Sequence, residues 1–203
     1  MKLYYSPTSP YVRKVMVLLH ETGQLQSVEL ETASGTPLVP HETIAATNPL
    51  AKVPTLERPD GCALYDSRVI CRYLDARASA GLYGDSNALW EVLTLEATAE
   101  GIIDAALLMT YEWRLRPEAL RYPEWVEGQW AKIDRALAVL NSRWMGHLEG
   151  PLNMGQIATG CALGYLDMRN ADRNWRQGHD GLADWYGRFS ERPSMQATAP
   201  PVA

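Results

Sequence analysis

Apolar residues in the first third of the chain alternate between two rhythms. Residues 1–5 read as a short apolar strand; Val12, Val15, Met16 and Leu19 then recur at helical spacing, with Leu18 widening the stripe, until Gly23. Between them, Ser9-Pro10 sets a capping hydroxyl before a Pro at the first helical position. Val28-Glu29-Leu30 alternates as a second strand, and a loop rich in Thr, Ser, Gly and Pro follows over residues 32–40. Residues 41–47 predict a short helix stopped by Asn48-Pro49. Residues 52–57 predict a strand with Pro at its entry, where a missing ladder donor is tolerated. The turn Pro59-Asp60-Gly61 leads to residues 62–65 as its hairpin partner, and Asp66-Ser67 opens a helix whose buried stripe is Val69, Ile70, Tyr73 and Leu74. Strand, helix, strand, short helix, strand, strand, helix predicts a four-stranded mixed sheet with helices on its faces.

The pattern changes beyond Ala76. Residues 79–87 are small and polar and read as a linker between an α/β domain, 1–78, and an all-helical domain, 88–203. Residues 88–114 predict one long helix, with Leu89, Val92, Leu93, Ile103, Leu107 and Leu108 among its apolar positions. Residues 123–145 predict a second, through Val126, Trp130, Ile133, Leu137 and Leu140. Asn153 with Gln156 resembles a capping box, in which the Gln reaches back to the cap N–H, and it opens a helix apolar on most sides to about residue 169. A last helix spans about 182–191, ended by Pro193, with a Pro-rich tail to 203.

Composition narrows the function classes. At 203 residues, 46% hydrophobic and 21% charged, the chain is of ordinary globular type. A net charge of −5 argues against general nucleic-acid binding, which needs a basic face. Cys62, Cys71 and Cys161 are widely spaced, with no CxxC and no Cys/His spacing of a zinc site, so no metal is expected. An odd cysteine count, no secretory leader and no apolar run longer than residues 15–19 make a cytoplasmic protein, without a membrane anchor, the expectation.

Three polar points converge if the first domain folds as predicted. Ser9 lies at one helix start and Asp66-Ser67 at another, where free N–H groups and the positive dipole end favour an anion. Val53-Pro54 lies at a strand entry; a cis bond there frees the Val53 backbone to pair with an extended peptide. Ser9 can instead serve only as a helix cap, and Ser6 and Tyr5 are its alternates as donors to an anion.

These residues carry a resemblance. Ser9-Pro10-Tyr11-Val12-Arg13-Lys14, then residues 48–56 (NPLAKVPTL), then Asp66-Ser67-Arg68-Val69-Ile70 and the ending 192–200 (RPSMQATAP) are similar to the glutathione S-transferases, specifically the bacterial cytosolic kind that use a Ser near the N-terminus. The resemblance spans essentially the whole chain. It implies a thioredoxin-like N-terminal domain, a helical C-terminal domain and a homodimer that takes glutathione as co-substrate and detoxifies a small electrophile. It implies that Val53 pairs through its backbone with the cysteinyl part of glutathione, that Pro54 is the family's cis-proline, and that Asp66 and Ser67 hold the γ-glutamyl group. Lys52, or more weakly His41, meets the glycyl carboxylate, and Asp104 reaches the glutathione amine of the partner subunit or is merely a solvated helix charge. Ser9 donates to the thiolate. The electrophile lies against Tyr11, Leu107, Leu108 and Tyr111, or these residues serve ordinary packing between domains.

Two departures stand out. Asn153 and Gln156 stand where the family usually has Ser or Thr and Asp, and Asp66 stands where Glu is commoner. Two other functions compete with conjugation. Glutathione-dependent disulfide reduction is disfavoured because position 9 lacks a Cys. A non-catalytic scaffold has no need of Ser9, Asp66 and Ser67, all of which are present.

Overall fold

Strand β1 (Lys2–Tyr5) is the centre of the first layer. It pairs in parallel with β2 (Glu29–Thr32) and antiparallel with β3 (Thr55–Glu57), which carries β4 (Ala63–Leu64) antiparallel on its other side, in the order β2-β1-β3-β4. The computed structural model describes residues 1–201. The chain divides into two compact units, one of Met1–Tyr83 with Pro193–Pro201 and one of Gly84–Arg192.

In the first unit, helix α1 (Pro10–Glu21) packs against α3 (Ser67–Ala78), and α3 lies on β3. Successive strand residues face opposite sides of the sheet. Tyr4 accordingly joins Ala33 and Ile44, from α2 (Glu42–Thr47), in one buried cluster, while Leu3 and its partner Leu56 are buried on the other face. Buried Gln24 ties the helix ends together: its Nε2 donates to Leu74 O at 2.9 Å, and its Oε1 accepts from Arg77 Nη1 at 2.6 Å.

The residues after Arg192 differ from expectation. Pro193 stops one helix and starts another, α9 (Pro193–Ala197), because Pro at a first helical position owes no N–H. This tail belongs to the first unit rather than to the helical one. There the buried Arg13 donates through Nη2 to Met195 O at 3.1 Å, and Ser194 Oγ donates to Glu21.

The second unit holds α4 (Leu89–Leu115), α5 (Pro123–Arg143), α6 (Met145–Leu148), α7 (Met154–Arg169) and α8 (Asp180–Ser190). Residues 154–166 of α7 are all buried, as its apolar sequence predicts. Its close approach to α4 needs Gly155, since a Cβ there would lie 2.8 Å from Leu95 Cδ2. Asn153 caps α7, its Oδ1 accepting from Gln156 N at 3.1 Å. The other half of the expected capping box is absent. Gln156 Nε2 instead donates to the carbonyls of His147, Gly150 and Pro151 at 2.9, 3.1 and 2.9 Å, because the preceding turn points three acceptors at it. At the far end of α4, Glu112 accepts from Arg116 Nε at 2.8 Å and from Tyr122 N at 2.9 Å. Among the described residues no helix is long and apolar enough to cross a membrane.

Candidate functional site

Sheet register determines which loops meet. Tyr4 pairs with Thr55, so the chain leaves β1 toward Ser9 at the end of the sheet where it enters β3 from Val53-Pro54. Leu56 pairs with Leu64, so β4 runs out toward Asp66 at that same end. Tyr5 pairs with Thr32 in parallel, which sends the loop toward His41 out there too. One rim of the sheet therefore gathers Ser9, His41, Lys52, Val53, Pro54, Asp66 and Ser67. The charge of Lys14, on α1, acts on Asp66, at the start of α3.

Ser9 is the N-cap of α1, its Oγ accepting from Val12 N at 3.3 Å. Capping uses one lone pair and leaves the hydroxyl proton free to be donated. The cap role and the anion role are thus compatible, and the partly buried Ser9 keeps solvent access. Ser9 N–H donates to Ser6 O at 3.1 Å, closing the turn that aims the hydroxyl.

The Val53-Pro54 peptide is cis, and the ladder of β3 begins only at Thr55 rather than at residue 52. Val53 packs its side chain against the Tyr4, Ala33 and Ile44 cluster. Its backbone N–H and C=O have no hydrogen-bond partner among the described residues. The bend is held from below by Asn48, only 1% exposed. Asn48 Nδ2 donates to Lys52 O at 3.1 Å and to Thr55 Oγ1 at 2.9 Å, and Thr55 Oγ1 donates to Lys52 O at 2.8 Å. Sequence reasoning took Asn48 for a helix stop and missed this supporting role; its partners four and seven residues on are the signal that was available.

Asp66 caps α3, its Oδ1 accepting from Arg68 N at 3.0 Å, and its carboxylate also pairs with Arg68 Nη2 at 2.7 Å. The preceding Tyr65-Asp66 peptide is cis as well. Burial pushes the Asp66 carboxyl upward, but hydrogen bonds and charge from Arg68, with Lys14 behind, outweigh it and hold the pKa below the ordinary value. Asp66 is therefore ionised at neutral pH and paired with Arg68. Arg68 was not singled out in the sequence, although its place two residues after an acidic cap allows this pairing. Ser67 beside it is buried. Lys52 is exposed, and His41 is partly buried with an Nδ1 that has no partner.

The residues assigned to the electrophile fall in both units. Tyr11 is partly buried in the first. In the second, Asp104, Leu107, Leu108 and Tyr111 follow i, i+3, i+4, i+7 along α4 and so share one face. Asp104 and Leu108 are exposed there, while Leu107 and Tyr111 are partly buried. Among the described residues no group of His, Cys, Asp or Glu side chains is placed to hold a metal.

Comparison with known proteins bears on this arrangement. Residues 3–93 match the model of the glutathione S-transferase N-terminal domain, and residues 123–188 that of its C-terminal domain. The chain is 35% identical, over the full length of both, to a protein of Escherichia coli named uncharacterized GST-like protein YibF. A glutathione transferase family member from Pseudomonas fluorescens Pf-5, solved with bound glutathione, is 48% identical and superposes with a TM-score of 0.97 over 99% of each chain. A second structure from that organism, solved with bound S-(propanoic acid)-glutathione, is 47% identical with a TM-score of 0.92 over 100% of each chain. With both domain models matched in order and full-length relatives at this level of identity, the chain belongs to the glutathione S-transferase family.

Proposed function

We propose that the protein is a Ser-type glutathione transferase that activates the glutathione thiol at Ser9 for attack on a small electrophile. The observation that carries this reading is the unpaired Val53 backbone, held out at the same sheet rim as the Ser9 and Asp66-Ser67 helix starts. An extended tripeptide completes that rim: its cysteinyl unit takes the Val53 N–H and C=O, and its γ-glutamyl ammonium and carboxylate take Asp66 and Ser67. Lys52 supplies charge to the glycyl carboxylate, with His41 as the other candidate. Asp104 of the second unit serves the glutathione amine in a homodimer. Tyr11, Leu107, Leu108 and Tyr111 line the electrophile's place, and the protein works in the cytoplasm. The relative that binds S-(propanoic acid)-glutathione supports conjugation over disulfide reduction, since its ligand is an S-substituted glutathione.

The energetics of Ser9 suffice. A free thiol titrates near ~8.5, and bringing it about two units lower requires roughly 2.7 kcal/mol in favour of the thiolate. A hydroxyl donating to an anion supplies ~1.5–3 kcal/mol and a helix N-terminus ~0.3–1 kcal/mol. Ser9 is a donor to an anion, neither a base nor a nucleophile. Titration calorimetry with glutathione, followed by ultraviolet thiolate absorbance of the complex against pH, tests the reading. Saturable binding with a depressed thiol pKa that rises in Ser9→Ala is the expected result. An unchanged thiol pKa in that variant would remove Ser9 from the mechanism.

A further inference from the structure

A buried polar circuit lies directly under the bend that offers Val53. Asn48 is 1% exposed and Thr55 is fully buried. Leu50 N donates to Asn48 Oδ1 at 2.9 Å, which settles which end of that amide is oxygen. Both hydrogens of Asn48 Nδ2 are then committed, one to Lys52 O at 3.1 Å and one to Thr55 Oγ1 at 2.9 Å. Thr55 Oγ1 accepts from Asn48 and turns its own proton to Lys52 O at 2.8 Å. Lys52 O thus takes two donors, and every polar hydrogen of both side chains is used. The main chain is bound into the same circuit: Ala51 N donates to Asn48 O at 2.8 Å, and Ala51 sits at a φ of 50°. A residue with a Cβ holds that left-handed conformation only where its surroundings impose it. The ladder of β3 begins at Thr55, so the circuit orders a stretch that lies outside the sheet.

What the circuit orders is a peptide plane. The Lys52-Val53 peptide is trans, so its C=O and its N–H point in opposite directions across one rigid unit. Holding Lys52 O down onto Asn48 and Thr55 turns the Val53 N–H away from them, to the side where it has no partner among the described residues. We propose that Asn48 and Thr55 are positioning residues for the thiol substrate: by fixing the Lys52 carbonyl they aim the Val53 N–H at the cysteinyl unit of glutathione. This rests on the glutathione reading above and adds two side chains that set the affinity of that site without touching the ligand. A plane released at its carbonyl end samples other orientations. The ligand then meets a correctly aimed donor only part of the time, and binding weakens by that fraction.

The test is titration calorimetry with glutathione on wild type, Thr55→Val, Thr55→Ser and Asn48→Asp, at a temperature where the variants are folded by circular dichroism. Hydrogen exchange of the Val53 amide, followed by nuclear magnetic resonance with and without glutathione, accompanies it. Thr55→Val keeps the volume and removes one donor, and is expected to weaken binding roughly five- to tenfold, about the value of one hydrogen bond. Thr55→Ser keeps the donor and is expected to recover most of that loss. Asn48→Asp offers Lys52 O no donor and draws the Thr55 proton to itself, so it is expected to lose more than Thr55→Val. In wild type, glutathione is expected to slow exchange at Val53, and in Thr55→Val and Asn48→Asp to slow it less. Wild-type affinity in Thr55→Val, or equal losses in Thr55→Val and Thr55→Ser, overturns the proposal. If Asn48→Asp does not fold, the two Thr55 variants decide it. If Thr55→Val does not fold either, wild type still decides it, since a Val53 amide that bound glutathione leaves unprotected overturns it. Failure of wild type to bind glutathione overturns the glutathione reading itself, whereas binding that is indifferent to the Thr55 hydroxyl overturns only the roles of Asn48 and Thr55.

Discussion

The starts of α1 and α7 use the same local device to opposite ends. Each is capped by a side-chain oxygen that accepts from the backbone N–H three residues on, Ser9 from Val12 and Asn153 from Gln156. At α7 the residue that the cap holds is embedded. Gln156 is 3% exposed and spends its amide on three carbonyls, so no hydrogen-bonding capacity of that NH₂ is left over. At α1 the cap stands on an open rim, one long bond uses the hydroxyl as acceptor, and its proton is uncommitted. A helix start whose polar groups are all spent stabilises a fold; one with a donor to spare can stabilise a ligand as well.

Reversing the polarity at α7 is expected to have the largest effect. Gln156→Glu sets a carboxylate against three carbonyls and is expected to cost about 3 kcal/mol or more in urea unfolding at neutral pH. The sign follows from linkage: the new carboxyl has a folded pKa above its unfolded one, so the deficit shrinks as pH falls and the acid takes up a proton it can donate. A deficit independent of pH would mean that Gln156 acts through shape alone. Ser9→Ala is expected to cost about 1 kcal/mol of stability as a lost cap and to raise the pKa of bound thiol by about one to two units. A stability loss without any change in the thiol would reduce α1 to a second α7. Gly155→Ala drives a methyl into Leu95 and is expected to cost about 1–2 kcal/mol, overpacking outweighing the gain in helix propensity. The smallest effect is expected at the far end of α4. Hydrogen bonds from Arg116 and from Tyr122 N hold the Glu112 carboxyl below its ordinary value. That contribution is present above the ordinary carboxylate pKa and is lost as pH falls through the depressed one. Glu112→Gln should therefore be slightly less stable than wild type near neutrality, and the two melting curves should converge in acid.

The parts of the molecule legible in sequence were those set by local chemistry. Ser9-Pro10 and Asp66 announce helix starts because capping is a property of three or four successive residues, and Asp60-Gly61 announces its turn because Gly61 takes a positive φ of 83°. The apolar run of α7 announced burial on most sides for the same reason. Readings failed where the outcome depends on residues far apart or on a residue with two uses. Residues 52–54 alternate like a strand, yet the cis Val53-Pro54 bond and the Asn48 network turn them into a bend. Pro193 was read as a stop, although Pro both ends one helix and begins the next. Gln156 fits a capping box by spacing, but which atoms face its amide depends on how α6 and its following turn fold back. The rim of candidate groups was legible once strand order was assumed, since register alone sends four loops to one end.

The bond from Arg13 to Met195 spans 182 positions of sequence, so it bears on the order in which the chain can mature. On a ribosome, the α/β layer emerges early but waits for residues 193–201 before the guanidinium in its first helix finds an acceptor. The helix that carries Ser9 is thus among the last pieces to be secured. A fragment cut after Tyr83 keeps every strand and still lacks a piece of its own core.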